Sequence, residues 1–247
     1  MSEAMLKVDH ITMKFGSLVA NEEVEFEVNK GEIISLIGPN GAGKTTLFNC
    51  LTGFCKPFSG KTYFEGKDIT GLKSNKICEL GLTRTFQIVK TLKEMTVKEN
   101  IVTGAFLHTN RCREAEKIAD EIMELTHLTR KKDALGASLT IADKKRLEIA
   151  RALATKPKML MLDETMAGLN QTEIKEAMEL CLQLKKSGIT LVIVEHIMEA
   201  IMPISDRVVV LNAGKKIAEG PPEVVVNHEQ VIKAYLGERY HAKSKKC

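Results

Sequence analysis

The chain has 247 residues, 44% of them apolar and 28% charged, with 17 glycines and no tryptophan. That balance excludes a disordered acidic chain, a collagen-like repeat and a small disulfide-stapled scaffold, and the length is enough to bury a core. A formal net charge of +4 describes an ordinary solvated surface and not the basic stripe of a nucleic-acid binder. In chain order, residues 24–28 alternate apolar and acidic side chains and read as a half-exposed strand, closed by a turn at Lys30–Gly31. Residues 33–37 are apolar without alternation, as in a parallel strand covered on both faces. A helix follows through Leu47, Phe48 and Leu51. From about 88 to 155 the patterns are helical; in 112–126, Ala115, Ile118, Ile122 and Leu125 share one face. Residues 159–162 form a second continuous apolar run. Asn170 to Glu173 has capping-box chemistry ahead of Ile174, Met178, Cys181 and Leu184, and Gly188 stops that helix. Residues 189–194 make the third apolar run, Gly214 and Pro221–Pro222 mark late turns, and the basic tail 243–247 reads as a frayed end.

Each apolar run ends in a polar loop: Gly38 onward, Asp163–Glu164, and Glu195–His196. Ligands of open parallel sheets lie at the carboxyl ends of the strands, so the three loops point to one site. The first loop is Gly38, Pro39, Asn40, Gly41, Ala42, Gly43, Lys44, Thr45 and Thr46, the phosphate-binding P-loop pattern. Its glycines let backbone N–H groups converge on phosphate oxygens at a helix N-terminus. Lys44 would reach the β- and γ-phosphates of a nucleotide, and Thr45 would ligate Mg²⁺. In P-loop nucleotidases an apolar strand ending in Asp serves the metal shell. Asp163 would do so here, and Glu164 would orient or deprotonate the attacking water. His196 is read as a γ-phosphate sensor linked to that acid. No Asn-Lys-x-Asp guanine motif accompanies the P-loop, which argues against a GTPase.

Six cysteines (Cys50, Cys55, Cys78, Cys112, Cys181, Cys247) show no CxxC and no paired spacing, so reduced thiols fit better than zinc. The first residues lack a basic segment ahead of an apolar one, so no signal peptide is expected. No apolar run approaches the ~18–20 residues of a membrane span; a role at a membrane would need spans from other chains.

The P-loop, Phe86–Gln87, the run 139–153, Leu162–Asp163–Glu164, Gly168–Leu169–Asn170 and Glu195–His196, in that order, resemble the ATP-binding cassette family across nearly the whole chain. More narrowly, segments 48–54, 95–100, 167–170 and 231–238 are similar to the branched-chain amino-acid import ATPases. The resemblance implies an α/β fold: a P-loop NTPase core with a mixed, mainly parallel sheet, an antiparallel β subdomain and an inserted helical subdomain. Residues 1–87 and 156–247 would form the core and 88–155 the helical subdomain. It implies that Phe15 stacks on adenine and that Gln87 touches Mg²⁺ or the attacking water. Thr140 and Ala142, in the segment 139–145, would stand where the family's signature loop closes over the γ-phosphate held by a partner's P-loop. Integral membrane permeases, a second ABC ATPase and, indirectly, a solute-binding protein would be the partners, at the cytoplasmic face of the membrane. An ATPase for lipid or lipopolysaccharide export, or an ATP-gated regulatory module, is the alternative.

The signature segment departs from Leu-Ser-Gly-Gly-Gln. Ile141 and Ala142 replace both glycines, and Asp143 replaces Gln. A β-branched Ile141 is expected to resist positive φ, and Asp143 to bring negative charge toward phosphate. Thr165 stands where Pro is usual, and Asn170 where Asp is common. The P-loop, Glu164 and His196 follow the pattern, so a pair of unlike ATPases is favoured over a homodimer, which stays possible.

Overall fold

The computed structural model describes residues 4–87 and 89–236. The basic tail, Cys247 and the end of the segment 231–238 lie outside the described residues. Strands β1 (Leu6–Phe15) and β2 (Leu18–Val28) pair antiparallel, and β4 (Ser59–Phe64) and β5 (Lys67–Asp68) complete a four-stranded sheet in the order β2-β1-β4-β5. In β2, Val24, Phe26 and Val28 are buried while Glu25 and Glu27 face out, the alternation read from the sequence. The strand nevertheless begins six residues before Val24. Glu23 has φ +47 and the pairing shifts register there, which breaks the period-two pattern and hides the first half of the strand.

The central sheet runs β10-β9-β3-β8-β7-β6, formed by β3 (Ile33–Ile37), β6 (Leu82–Arg84), β7 (Met159–Asp163), β8 (Thr190–Val194), β9 (Arg207–Asn212) and β10 (Lys215–Gly220). All neighbours are parallel except β9 and β10. Every residue of β3, β7 and β8 is buried. Ile33, Ile37, Leu160, Leu162, Leu191 and Ile193 join one core, and Ile34, Leu36, Met159, Met161, Val192 and Val194 the other. Two covered faces explain why the apolar runs do not alternate.

Helix α1 (Lys44–Leu51) follows β3, and α2 (Ser74–Leu80) precedes β6. Between β6 and β7 the described residues form α3 (Val97–Ala105), α4 (Cys112–Leu125), two short 3-10 turns and α5 (Ile141–Ala154), with no strand. In α4, Ala115, Ala119, Ile122 and Met123 are buried, so the buried stripe lies about one position off the predicted one: Ile118 and Leu125 are only half-buried. Helix α6 (Gln171–Lys186) carries the reciprocal Asn170–Glu173 capping box and ends two residues before Gly188. Short α7 (Met198–Ile201) and α8 (Pro222–Val225) precede α9 (Glu229–Leu236). No helix among the described residues is long and apolar enough to cross a membrane. Five described cysteines are free thiols.

Candidate nucleotide site

The loop from Gly38 to Gly43 leaves β3 and enters α1. Gly41 has φ +79, a region that L side chains rarely enter. At Gly43, φ is +96, and a Cβ would stand 2.4 Å from the Ala20 carbonyl oxygen and 2.5 Å from the Asn21 amide nitrogen. The loop is held from outside: Asn21 Nδ2 donates to the Gly43 carbonyl at 3.2 Å, and the Gly214 N–H to the Ala42 carbonyl at 3.1 Å. Lys44 is buried, and its Nζ donates to the carbonyls of Gly38 at 2.7 Å and Pro39 at 3.0 Å. Burial lowers its pKa, and the carboxylates of Glu164 and Asp163 partly restore it. Lys44 thus rests as a charged lid on its own loop, with acceptors it can exchange for phosphate oxygens.

A cleft of about 550 Å³ opens in front of this loop. Phe15, 52% exposed at the end of β1, lines it with Leu18 and Val19, opposite Asn40 through Thr46. An exposed ring beside a phosphate-shaped loop is a surface for a flat heterocycle. Gln87, Glu164 and His196 close the far side. A second opening of about 600 Å³ shares Asn40, Gln87, Glu164 and His196 and adds Gly38, Pro39 and Tyr235. Tyr235 lies in the segment 231–238, and nothing in its sequence context signals its reach to this site.

The three strand-end loops meet as expected. Glu164 Oε1 lies 2.5 Å from His196 Nε2, and Gln87 Nε2 donates to Glu164 Oε2 at 2.7 Å. Burial alone would push the Glu164 carboxyl up; the hydrogen bonds from His196 and Gln87 and the charge of Lys44 hold it below the usual carboxylate range. An ionised carboxylate only accepts, so His196 Nε2 carries the hydrogen. Asp163 is fully buried at the end of β7. Its Oδ2 accepts from Arg84 Nη2 at 2.8 Å, and its Oδ1 has no hydrogen-bond partner. Burial raises its pKa, offset in part by Arg84. Arg84 stands two residues before Phe86 and 79 residues from Asp163, and nothing in the sequence marks it as that acid's partner.

Helix α5 backs the site. Glu148 accepts the Phe86 N–H at 2.9 Å, and Arg151 Nη1 donates to the Lys90 carbonyl at 2.7 Å, which ties α5 to the loop around Gln87. Burial pushes the Glu148 carboxyl up to about 7, against the pull of the Phe86 N–H and of Arg151. The folded state therefore binds this proton more tightly than the unfolded chain, whose carboxyl keeps the ordinary 4.5. The sign follows: stability from this group is full below about 4.5 and is lost as pH rises through about 7. Glu148→Gln keeps an acceptor for Phe86 and removes the charge. It is expected to be more stable than the parent at pH 8 by on the order of 2–3 kcal/mol, with a flatter melting temperature between pH 5 and 8. Thermal melts of both proteins across that range check it; parallel curves contradict it.

The signature-like segment lies elsewhere on the chain. Thr140 caps α5, its Oγ1 accepting the Asp143 N–H at 3.2 Å and donating to Asp143 Oδ2 at 2.6 Å. Asp143 is buried and paired with Lys131, with Arg146 3.9 Å away. Burial would raise its pKa, but Lys131 and Thr140 hold it below the usual range. Two expectations are corrected. Ile141 starts the helix and is 65% exposed, and neither it nor Ala142 has positive φ, so no strain arises. The Asp143 charge is also met by cations within its own chain. Thr140, Ala142 and Asp143 line an open depression of about 670 Å³ with Asn170 and Glu173, apart from the P-loop cleft.

A mononucleotide whose phosphates meet the start of α1 is the ligand such a cleft is shaped for, which puts the protein among the P-loop nucleotide-binding proteins. The family model described as ABC transporter matches residues 21–167, and the one described as branched-chain amino acid ATP-binding cassette transporter matches residues 215–241. The chain is 41% identical over 254 residues to the high-affinity branched-chain amino acid transport ATP-binding protein BraF of Pseudomonas aeruginosa, covering 96% of this chain and all of that one. It is 43% identical over 258 residues to LivG of Escherichia coli, of the same description and with the same coverage. A solved nucleotide-free ATP-binding cassette from an ABC transporter superposes with a TM-score of 0.87 at 34% identity, over 96% of this chain and all of that one. An ATP-binding cassette in its ADP conformation gives 0.86 at the same identity and coverage. The chain belongs to the ABC transporter family, and it is an ATPase of that family.

Proposed function

We propose that the chain is the ATP-hydrolysing subunit of an importer that moves branched-chain amino acids, or a related small polar solute, through partner permeases. The observation that carries the chemistry is the Glu164 carboxylate, held between His196 and Gln87 at the mouth of the P-loop cleft. The solute class rests on the full-length similarity to BraF and LivG.

In this reading Phe15 takes the adenine face, the N–H groups from Asn40 to Thr46 take the phosphates, and Lys44 leaves the Gly38 and Pro39 carbonyls for phosphate oxygens. Glu164 orients the attacking water and accepts its proton. His196 keeps that carboxylate ionised through its Nε2–H and links it to the γ-phosphate as a sensor. Gln87 releases Glu164 Oε2 when the water takes its place. Mg²⁺ fits the residues present: Asp163 keeps one buried oxygen without a partner, and Thr45 faces the cleft. When bound with ATP, the ion neutralises phosphate charge. Thr140 and Ala142 lie outside the cleft of their own chain, which suits a role toward the nucleotide of a second cassette. Residues 88–155 would be the helical unit that presents them.

The partners in this reading are permeases that supply the membrane spans, a second ABC ATPase, with an unlike pair favoured by the resemblance to the branched-chain importers over a homodimer, and a solute-binding protein acting through the permeases. The place is the cytoplasmic face of the membrane. Tagged Glu164→Gln protein, recovered from detergent-solubilised native membranes with ATP present, tests the reading by mass spectrometry. Two polytopic membrane proteins and a different ATPase are expected. Recovery of the chain alone, or of soluble partners only, shifts the reading to an ATP-gated regulatory module. Two copies of this chain on the permeases contradict the unlike pair.

A further inference from the structure

We propose that Lys145, on the buried face of α5, is a positioning residue that fixes the turn carrying Glu164 and thereby sets where the catalytic carboxylate stands. The proposal rests on the reading of Glu164 as the group that meets the attacking water. Lys145 is only 8% exposed. Its Nζ donates to the Glu164 carbonyl at 2.9 Å and to the Ala167 carbonyl at 2.5 Å, the two ends of a four-residue turn. The opposite side of the turn is held as well. Glu195, fully buried just before His196, accepts the Met166 N–H at 2.6 Å.

The turn needs such hold. Glu164 has φ +50, a left-handed conformation that a non-glycine residue keeps only when its surroundings impose it. Its side chain leaves this backbone to meet His196 and Gln87, so a rotation of the peptide would move the carboxylate off both. An ammonium taken out of water is expensive, and a buried lysine must find dipoles and opposite charge. Lys145 finds two carbonyls of the Glu164 turn; burial lowers its pKa, and the nearby Glu195 partly restores it. A turn stabilised merely as structure could be held by a single neutral donor; here a buried ammonium and a buried glutamate grip it from two directions.

The same helix face grips the other loop. Glu148, three residues on from Lys145, accepts the Phe86 N–H beside Gln87. Gln87 and Glu164 themselves meet at 2.7 Å. Helix α5 is thus the shared backing of both loops, and a shift of α5 would move Glu164 and Gln87 together.

The test uses the assembly recovered from membranes with the tagged chain, measuring ATP turnover, ATP affinity and hydrogen exchange. Lys145→Met alone would strand the Glu195 charge, so the main variant is Lys145→Met with Glu195→Gln, which keeps an acceptor for Met166 and removes both charges. Expected is a kcat lowered at least about tenfold, toward the ~100-fold cost of a misplaced group, with ATP affinity within about threefold of the parent. Exchange at Met166 should quicken while the central sheet stays protected, and Lys145→Arg should regain most of the turnover. The proposal is overturned if the double variant turns over within twofold of Glu195→Gln alone. It is equally overturned if affinity falls in step with kcat, or if exchange quickens throughout the chain. Glu164→Gln in the same assay separates the two readings: if it leaves turnover unchanged, the role of Glu164 fails first, whatever Lys145 does.

Discussion

Replacing Glu164 with Gln is expected to lower the turnover number by about 10²–10⁴-fold while ATP still binds. The two side chains have nearly the same shape. Gln offers one acceptor oxygen and one donor nitrogen where the carboxylate offers two acceptors, so one bond to His196 or Gln87 survives and the other must turn. Proton acceptance is lost. The charge beside Lys44 goes with it, which removes repulsion from the incoming phosphates, so affinity is held or improved. Steady-state turnover together with titration of ATP into the variant separates the two effects. The parent carries a further mark. Because His196, Gln87 and Lys44 hold the Glu164 pKa below the usual carboxylate range, the base stays ionised through neutral pH. Turnover is then lost only as pH falls through that depressed value, and the acid limb of the rate profile should lie below that of an unperturbed glutamate. A Gln variant with unchanged kcat would move the proton to another acceptor, and a normal acid limb would separate Glu164 from the rate.

The parts of this site that the sequence made visible are those whose signal is local. The P-loop is nine consecutive residues; Asp163–Glu164 and Glu195–His196 are pairs at the ends of apolar runs. The Asn170–Glu173 box is written in four positions and formed as written. Hidden were the contacts made across long stretches of chain: Arg84 with Asp163, Glu148 with Phe86, Lys145 with the Glu164 turn. Each of those residues reads as a solvated charge on its own, and only the pairing of β6 with β7 and the seating of α5 bring it to its partner. Strand β6 has three residues and one fully buried side chain, too short for any periodicity. The register slip at Glu23 cut β2 in half. Ile141 misled for a different reason: its identity suggested strain at a glycine position, but the capped helix begins there with φ negative. The substitution that looked obstructive is accommodated by the backbone, and the Asp143 charge by Lys131.

Arg84→Met is expected to destabilise the protein by about 3–5 kcal/mol, the cost of leaving one member of a buried ion pair alone. Arg84 and Asp163 side chains are 6% and 0% exposed. The guanidinium has further work than that one bond. Its Nη1 reaches Asn49 Oδ1 on α1 at 2.7 Å and Oγ1 of Thr52, the residue that ends α1, at 3.2 Å, and its Nε donates to the Thr85 carbonyl at 3.0 Å. Rings of Phe86, Phe54 and Phe48 lie 4.9, 5.4 and 5.8 Å from its central carbon. Methionine fills the space among the rings but leaves Asp163 charged, buried and unpartnered at both oxygens. For a chain of this length each kcal/mol moves the melting temperature by about 2–4 °C, so a fall on the order of 10 °C should be read in a thermal melt. Two controls make the cause specific. Arg84→Met with Asp163→Asn removes both charges and should recover a large part of the loss, because the cost lies in the stranded anion and not in lost packing. Mg²⁺ with ATP should raise the melting temperature of Arg84→Met by more than it raises that of the parent, since a cation near Asp163 replaces the charge that the variant lacks. If the double variant is no more stable than Arg84→Met, the aromatic stack and the α1 contacts carry the stability. If Mg²⁺ with ATP stabilises both proteins equally, the unpartnered oxygen of Asp163 does not face the ion.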